Sequence, residues 1–215
     1  MIECKVRKQY GARQALDLDC AFEEGKIYAI IGNNGSGKST LLNALAKQIP
    51  YEGEIKAPKS VVYMTQQAYN FDFSVRRNVL LFVGKKESER IARAQGMMQA
   101  IGLVPLSAKN AQHLSGGERQ KTALLRTLMQ DGDLLLLDEP TSSMDLASSK
   151  IAQDFIVAYH ERTGCTIFFV THSVAQAEAL ADEILYMDEG RIVERGKDVT
   201  SAPSTESLRA FLQSR

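Results

Sequence analysis

The sequence predicts an α/β chain, with a mostly parallel sheet flanked by helices, an antiparallel β edge and a helical insertion. Three observations lead there. Short uninterrupted apolar runs recur, "IYAII" at 27–31, "LLLL" at 134–137 and "TIFFV" at 166–170, each followed by polar or glycine residues and then a helical pattern. Runs of this kind are strands buried on both faces. The two opening segments alternate apolar with polar residues instead, as a half-covered antiparallel pair does. From 68 to 123 the apolar spacing becomes helical and carries no strand signal.

Taken in order, "IECKVRKQY" and "QALDLDCAF" make the antiparallel edge, and "EEGK" turns the chain into the buried strand "IYAII". The loop "GNNGSGKST" leads into the helical run "LLNALAKQ", and "VVYMTQ" at 61–66 is another buried strand. "SVRRNVLLFV" and "ESERIARAQGMMQAIGL" are helices of the insertion, followed by the strongly helical "LSGGERQKTALLRTLMQ". "LLLL" and "TIFFV" return to the sheet. "EILYMDEGRIVERG" then places two short strands around Asp188, Glu189 and Gly190, a hairpin. "STESLRAFLQ" closes as an amphipathic helix. The expected organisation is one domain over 1–215, with a core from 1–67 and 124–215 and a helical subdomain from 68–123.

Composition removes several classes. With 215 residues, 44% of them hydrophobic, the chain can build a sizeable core. Lys plus Arg equal Asp plus Glu at 26 each, so no overall field draws it to nucleic acid or to an acidic membrane. Cys4, Cys20 and Cys165 lie far apart in the sequence, are odd in number and form no CxxC, which argues against a disulfide framework or a zinc site. The opening "MIECKVRKQY" lacks the apolar core of a signal peptide, and no apolar run approaches the ~20 residues that cross a bilayer. The expectation is a reducing cytoplasm.

Gly32, Gly37, Lys38 and Ser39 stand in the GxxxxGK[ST] spacing between a strand and a helix. Amides must wrap around phosphate oxygens there, which glycines permit, and the helix N-terminus adds partial positive charge. The whole loop, Gly32, Asn33, Asn34, Gly35, Ser36, Gly37, Lys38, Ser39 and Thr40, is the candidate phosphate site. Lys38 is expected to reach the outer phosphates, and the Ser39 hydroxyl to bind magnesium. This makes the fold expectation a P-loop NTPase core.

Asp138 and Glu139 in "LLLLDEP" close a buried strand, and adjacent side chains there point to opposite faces. Asp138 is assigned to the metal and Glu139 to the water that attacks the γ-phosphate. His172, at the end of "TIFFVTH", is placed to link the γ-phosphate to that water. Gln66, ending "VVYMTQ", is placed to contact magnesium or water, with Gln67 as the alternative.

In "LSGGERQ", Ser115 and Glu118 have capping-box spacing, so a helix begins there with Gly116 and Gly117 in its first turn. Two glycines each cost a helix about 1 kcal/mol relative to alanine, so the bare backbone needs a reason. The ordered set "GNNGSGKST", the glutamine after "VVYMT", "LSGGERQ", "LLLLDEP", "SSMD" and "VTH" resembles the nucleotide-binding subunit of ATP-binding cassette (ABC) transporters across nearly the whole chain. The resemblance implies ATP and Mg2+ as ligands and a head-to-tail pair of cassettes. Ser115, Gly116 and Gly117 of one would complete the ATP site of the other, a second copy or a homologous cassette. It also implies that Asp145 in "SSMD" couples the two sites and that Tyr10 stacks on adenine, although the residues alone allow Tyr10 to be an ordinary strand-end side chain.

Ser143, Met144 and the run "KTALLRTL" depart from the commoner family residues while keeping size and apolarity. No catalytic group is lost by them, so two competent sites are expected in a homodimer. The resemblance further implies integral membrane permease subunits, a solute-binding protein in the case of an importer, and a place on the inner face of the cell membrane. "AYNFDFSVRRNVL" would lie at the permease contact, unless Phe71 and Phe73 are core residues. A short, free-standing cassette resembles importers more than fused exporters. The competing readings are a soluble ABC ATPase acting in DNA repair, chromosome maintenance or translation, and a small-molecule kinase on the same core. The missing coiled coil, CxxC and basic excess weigh against the first, and the "LSGG" helix against the second.

Overall fold

The computed structural model describes residues 1–214. Two sheets share one interior. Strands β1 (Ile2–Tyr10), β2 (Arg13–Phe22) and β4 (Glu52–Lys56) form an antiparallel sheet in the order β2-β1-β4. Strands β3 (Ile27–Ile31), β5 (Val61–Met64), β6 (Leu134–Asp138), β7 (Thr166–Val170), β8 (Glu183–Asp188) and β9 (Arg191–Gly196) form the larger sheet, ordered β5-β6-β7-β3-β8-β9. All its pairings are parallel except the β8/β9 hairpin. The third antiparallel strand, β4, carries no clear sequence signal because only Ile55 in "EGEIK" is buried.

The helices are α1 (Lys38–Leu45), α2 (Val75–Val79), α3 (Ser88–Ala100), α4 (Gly116–Leu128), α5 (Leu146–Thr163), α6 (Val174–Leu180) and α7 (Glu206–Gln213). Residues 68–123 contain helical turns and no named strand, and α4 runs on past residue 123. The 18-residue α5 starts where the Asp145 side chain caps it, accepting from the Ser148 N–H at 2.8 Å and the Ser148 hydroxyl at 2.7 Å. It ends at Gly164, which takes the left-handed conformation (φ 64°) common just past a helix.

Period-two alternation divides the strand residues between two cores. Tyr28, Ile30, Leu134, Leu136, Phe168 and Val170 face the antiparallel sheet and α1, meeting Ile2, Leu16, Phe22 and Leu41. Ala29, Ile31, Leu135, Leu137, Ile167 and Phe169 face the other way, into a cluster that includes Ala94, Leu124 and Ile156 from the helices. Tyr28 stacks on Phe168 with centroids 4.8 Å apart, and Phe22 meets both rings edge-on. The Tyr28 hydroxyl accepts from the Glu23 N–H at 2.8 Å, so the turn between the sheets is fixed by a buried ring.

The turn of the β8/β9 hairpin is packed into this frame. The Gly190 N–H donates to the Ser36 carbonyl and its own carbonyl accepts from the Asp17 N–H, both at 2.9 Å, which joins β2, the phosphate loop and the hairpin. Its φ is 79°, and an added Cβ would lie 2.8 Å from the Ala15 carbonyl oxygen. Gly190→Ala is expected to lower unfolding free energy by about 1–3 kcal/mol. A urea unfolding midpoint equal to that of the parent chain would refute the constraint.

Candidate active site

Parallel pairing delivers the candidate residues to one edge of the large sheet. Gly32, Glu139 and His172 each lie just past a strand end, and Gln66 lies two residues past β5. That edge, beyond the carboxyl ends of the strands, is where open α/β sheets bind ligands. A cavity of about 480 Å³ is lined there by Tyr10, Arg13, Ala15, Asn34, Gly35, Gly37, Lys38, Ser39, Thr40, Gln66 and Glu139. The antiparallel sheet thus contributes Tyr10, 53% exposed at the tip of β1 with the Lys8 ammonium 4.9 Å from its ring centre.

Gly32, Gly35 and Gly37 all have positive φ, and Gly37 opens α1 without a side-chain cap. A loop of this shape points backbone amides at its own concavity. Asn33 and Asn34 are exposed, while the Lys38 Nζ donates to the Gly32 and Asn33 carbonyls at 2.9 and 2.8 Å. Lys38 is therefore held across the loop by the loop itself. Ser36 is buried, and its hydroxyl has no hydrogen-bond partner among the described residues.

Asp138 is buried, and its Oδ1 has no hydrogen-bond partner among the described residues. Burial raises its pKa, a hydrogen bond from the Ser39 side chain opposes the rise, and the neighbouring Glu139 adds to it. A carboxylate and a hydroxyl brought together with an unsatisfied oxygen form a hard donor set suited to magnesium.

Glu139 has left-handed backbone, φ 51°, an uncommon conformation for a side chain of its kind. It is held there from both sides: its N–H donates to the Val170 carbonyl at 3.1 Å, and its carbonyl accepts from the Gln120 Nε2 at 2.7 Å. The resulting turn directs its carboxylate to Gln66, whose Nε2 donates to Oε1 at 3.0 Å, and to the His172 Nε2, 2.8 Å from the same oxygen. The two adjacent glutamines are placed differently. Gln66 meets Glu139, whereas the Gln67 carbonyl accepts from the Thr65 hydroxyl. Behind this cluster, Gln176 bridges Thr171 and Thr141 in a buried polar chain.

Ser115, Gly116 and Gly117 do not line this cavity. The capping box is present, with the Ser115 N–H donating to Glu118 at 2.8 Å and the Glu118 N–H to the Ser115 hydroxyl at 3.4 Å. The two glycines have different reasons. A Cβ on Gly117 would lie 2.8 Å from the Ser143 carbonyl oxygen of its own chain, while one on Gly116 would meet open space. Close internal packing therefore explains Gly117 and leaves Gly116 bare toward the outside.

Gln120 is the residue that sequence reasoning passed over. It is buried on α4, and besides its bond to the Glu139 carbonyl its Oε1 accepts from the Ser143 N–H at 2.7 Å. One amide thus fixes both ends of the turn after β6. Its place in "LSGGERQ", one helical turn after Gly116, was the available signal. Farther along α4, Arg126 stacks on Phe71 and donates to the Tyr69 carbonyl at 2.6 Å and to Asn70 and Asn78. Asn78, fully buried, accepts from the Phe71 N–H and donates to the Phe71, Phe73 and Ser74 carbonyls. The loop holding Tyr69, Phe71 and Phe73 is therefore pinned by its backbone while Tyr69 and Phe71 stay exposed and Phe73 half-buried.

Known proteins resemble this chain in sequence and in fold. The family model described as ABC transporter matches residues 16–142. The chain is 35% identical to the tungstate uptake system ATP-binding protein TupC of Peptoclostridium acidaminophilum, covering 88% of this chain and 94% of that protein. It is also 35% identical to the aliphatic sulfonates import ATP-binding protein SsuB 1 of Streptomyces avermitilis, over 98% of this chain and 84% of that one. Among solved structures, the dimeric bacterial ABC transporter cassette MJ0796 superposes with a TM-score of 0.80 at 25% identity, covering 92% of this chain and 98% of that cassette.

Gln120→Ala removes both bonds to the turn after β6 at once. We expect faster amide exchange across 139–143 and a loss of about 1–3 kcal/mol in unfolding free energy. Unchanged exchange protection at Ser143 would show that the turn does not depend on this amide.

Proposed function

The chain belongs to the ABC transporter family, and on that premise we propose that it energises solute import through separate membrane subunits. It is an ATP-binding and ATP-hydrolysing subunit. The observation that carries the reading is the single chamber lined by an exposed aromatic, much of the phosphate loop (Asn34, Gly35 and Gly37 to Thr40), Gln66 and Glu139. Its lining suits a nucleotide: Tyr10 for the adenine, the loop amides and Lys38 for the phosphates, and Gln66 with Glu139, which His172 contacts from behind, where the terminal phosphate meets water.

The residue roles follow from chemistry. Phosphoryl transfer asks the protein chiefly for positioning and charge stabilisation. Lys38, already fixed across the loop, supplies a cation beside the outer phosphates. Glu139 accepts hydrogen bonds and so can hold a water by its proton, while His172 and Gln66 fix the carboxylate's direction. Ser39 and Asp138 would hold magnesium, with Gln66 nearby. Bound there, the ion would neutralise phosphate charge.

The chamber is open, and a second cassette would close it. Gly116 and the exposed Ser115 begin a helix whose first amides face outward, a ready partner for the phosphate of an opposed subunit. Leu146, directly after Asp145, is 90% exposed, an apolar side chain that such an interface would cover. In the isolated chain Asp145 is occupied as the cap of α5 and lies 3.5 Å from the Lys121 Nζ. Its hydrogen bonds from Ser148 hold its pKa down to about 2. We assign it the coupling of the two sites through that cap.

The exposed Tyr69 and Phe71, packed edge to face, belong to the surface offered to a membrane subunit. No helix of the described residues is long and apolar enough to cross a membrane, and the reading assigns the transport path to separate membrane subunits. Import is favoured by the names of the relatives, which are uptake and import proteins, and by the near full-length match to them. The reading places the subunit on the cytoplasmic face of the membrane, and no nucleic-acid partner is proposed.

Two variants test it. Glu139→Gln should retain ATP and accumulate as a dimer with Mg-ATP, measured by light scattering; a monomer at saturating nucleotide would count against the two-chain site. Lys38→Ala should weaken ATP binding by about tenfold or more in calorimetry. Undiminished affinity would remove Lys38 from the phosphate site.

A further inference from the structure

We propose that Cys4 and Cys20 form a reversible cross-strand disulfide under peroxide, making the antiparallel sheet a site of thiol modification. The two cysteines are distant in sequence and adjacent in the fold. They are direct partners in the β1/β2 register, on the inner face of the sheet. Directly opposed residues of an antiparallel ladder have Cα atoms about 4.5 or 5.5 Å apart. Both spacings fall within the roughly 4.4–6.8 Å that a disulfide spans, so the bond requires no change of register.

The two thiols are unlike. Cys4 is buried at 1% exposure, whereas Cys20 is only partly buried. The adjacent Cys4 thiol lowers the Cys20 pKa, and Arg195 beside it adds to the lowering. The same proximity, together with burial, raises Cys4. Arg195 is held in place by Glu183, by the Ala21 carbonyl and by the face of Phe22. Asp19 opposes its effect on Cys20 but is itself 3.2 Å from Lys5. An accessible thiol of lowered pKa next to a protected second thiol is the arrangement that distinguishes reversible oxidation from terminal oxidation.

The chemistry balances with one hydroperoxide. The Cys20 thiolate attacks a peroxide oxygen, the O–O bond breaks, and a sulfenic acid forms as hydroxide leaves and takes up the proton that Cys20 released. The Cys4 thiol then attacks that sulfur, the S–O bond breaks, and water departs with the Cys4 proton. Two thiols lose two electrons, and the peroxide becomes two waters. A thiol reductant reverses the bond, and in a reducing compartment it would be transient. Cys165, buried in the other hydrophobic cluster, takes no part.

The test is a peptide map of the unmodified full-length protein after brief exposure to hydrogen peroxide, with remaining thiols alkylated in denaturant. We expect an intramolecular Cys4–Cys20 linked peptide, loss of two of the three alkylatable thiols, and their recovery with dithiothreitol. Three alkylatable thiols after treatment would overturn the proposal, as would Cys20 recovered as sulfinic acid without a link, or a link only between chains. Cys20→Ser should leave Cys4 unoxidised over the same interval. Oxidation of Cys4 in that variant at the parent rate would remove Cys20 as the attacking thiol.

Discussion

Register between parallel strands is the constraint on which the site depends. Met64 is opposite Leu137, Asp138 is opposite Val170, and Val170 is opposite Ile30. Two residues beyond Met64, Leu137, Val170 and Ile30 lie Gln66, Glu139, His172 and Gly32. Four strands separated by long stretches of sequence therefore release the candidate site residues at nearly the same height. A one-residue slip in any of them would turn its buried side chains to the opposite core, where the wrong volumes await. The hydrophobic interior thus sets the spacing of the polar groups at its edge.

A second level of organisation runs along α4. Its N-terminus carries the outward-facing Ser115 and Gly116, its second turn grips Glu139 and Ser143 through Gln120, and its last turn holds the aromatic loop through Arg126. The outward-facing Ser115 and Gly116, the turn bearing Glu139 and the aromatic loop of Tyr69 and Phe71 are therefore attached to one rigid rod. Displacing that rod changes all three together. Arg126 is suited to its place: its guanidinium is largely desolvated and its donors are spent on fixed carbonyl and amide oxygens.

Much of this was legible in the sequence, for physical reasons that also mark where legibility ends. Strands buried on both faces must be apolar without interruption, so "IYAII", "LLLL" and "TIFFV" declared themselves. The phosphate loop did so because only glycines reach its backbone angles. By contrast β4 has a single buried side chain and no pattern to detect. The inward-facing glutamine could not be chosen, because "QQ" follows the strand where alternation lapses. Gln120 was hidden because its role consists of two backbone partners on a distant turn. The cysteines read as unrelated because a hairpin's register, displaced here by a bulge between Lys8 and Gln9, is a property of the folded pair. Gly117 packs against its own chain's Ser143, a contact that spacing does not reveal.

The left-handed backbone at Glu139 filters sequence drift before chemistry does. Residues branched at Cβ fit that conformation poorly, so valine, isoleucine and threonine are disfavoured there whatever their polarity. Asparagine, aspartate and glycine adopt it readily, yet none has the reach of glutamate across to Gln66 and His172. The substitutions that this backbone accepts best are thus ones that keep the fold and lose the reach to Gln66 and His172. A well-folded cassette without this cluster is, on this backbone, a short evolutionary step away.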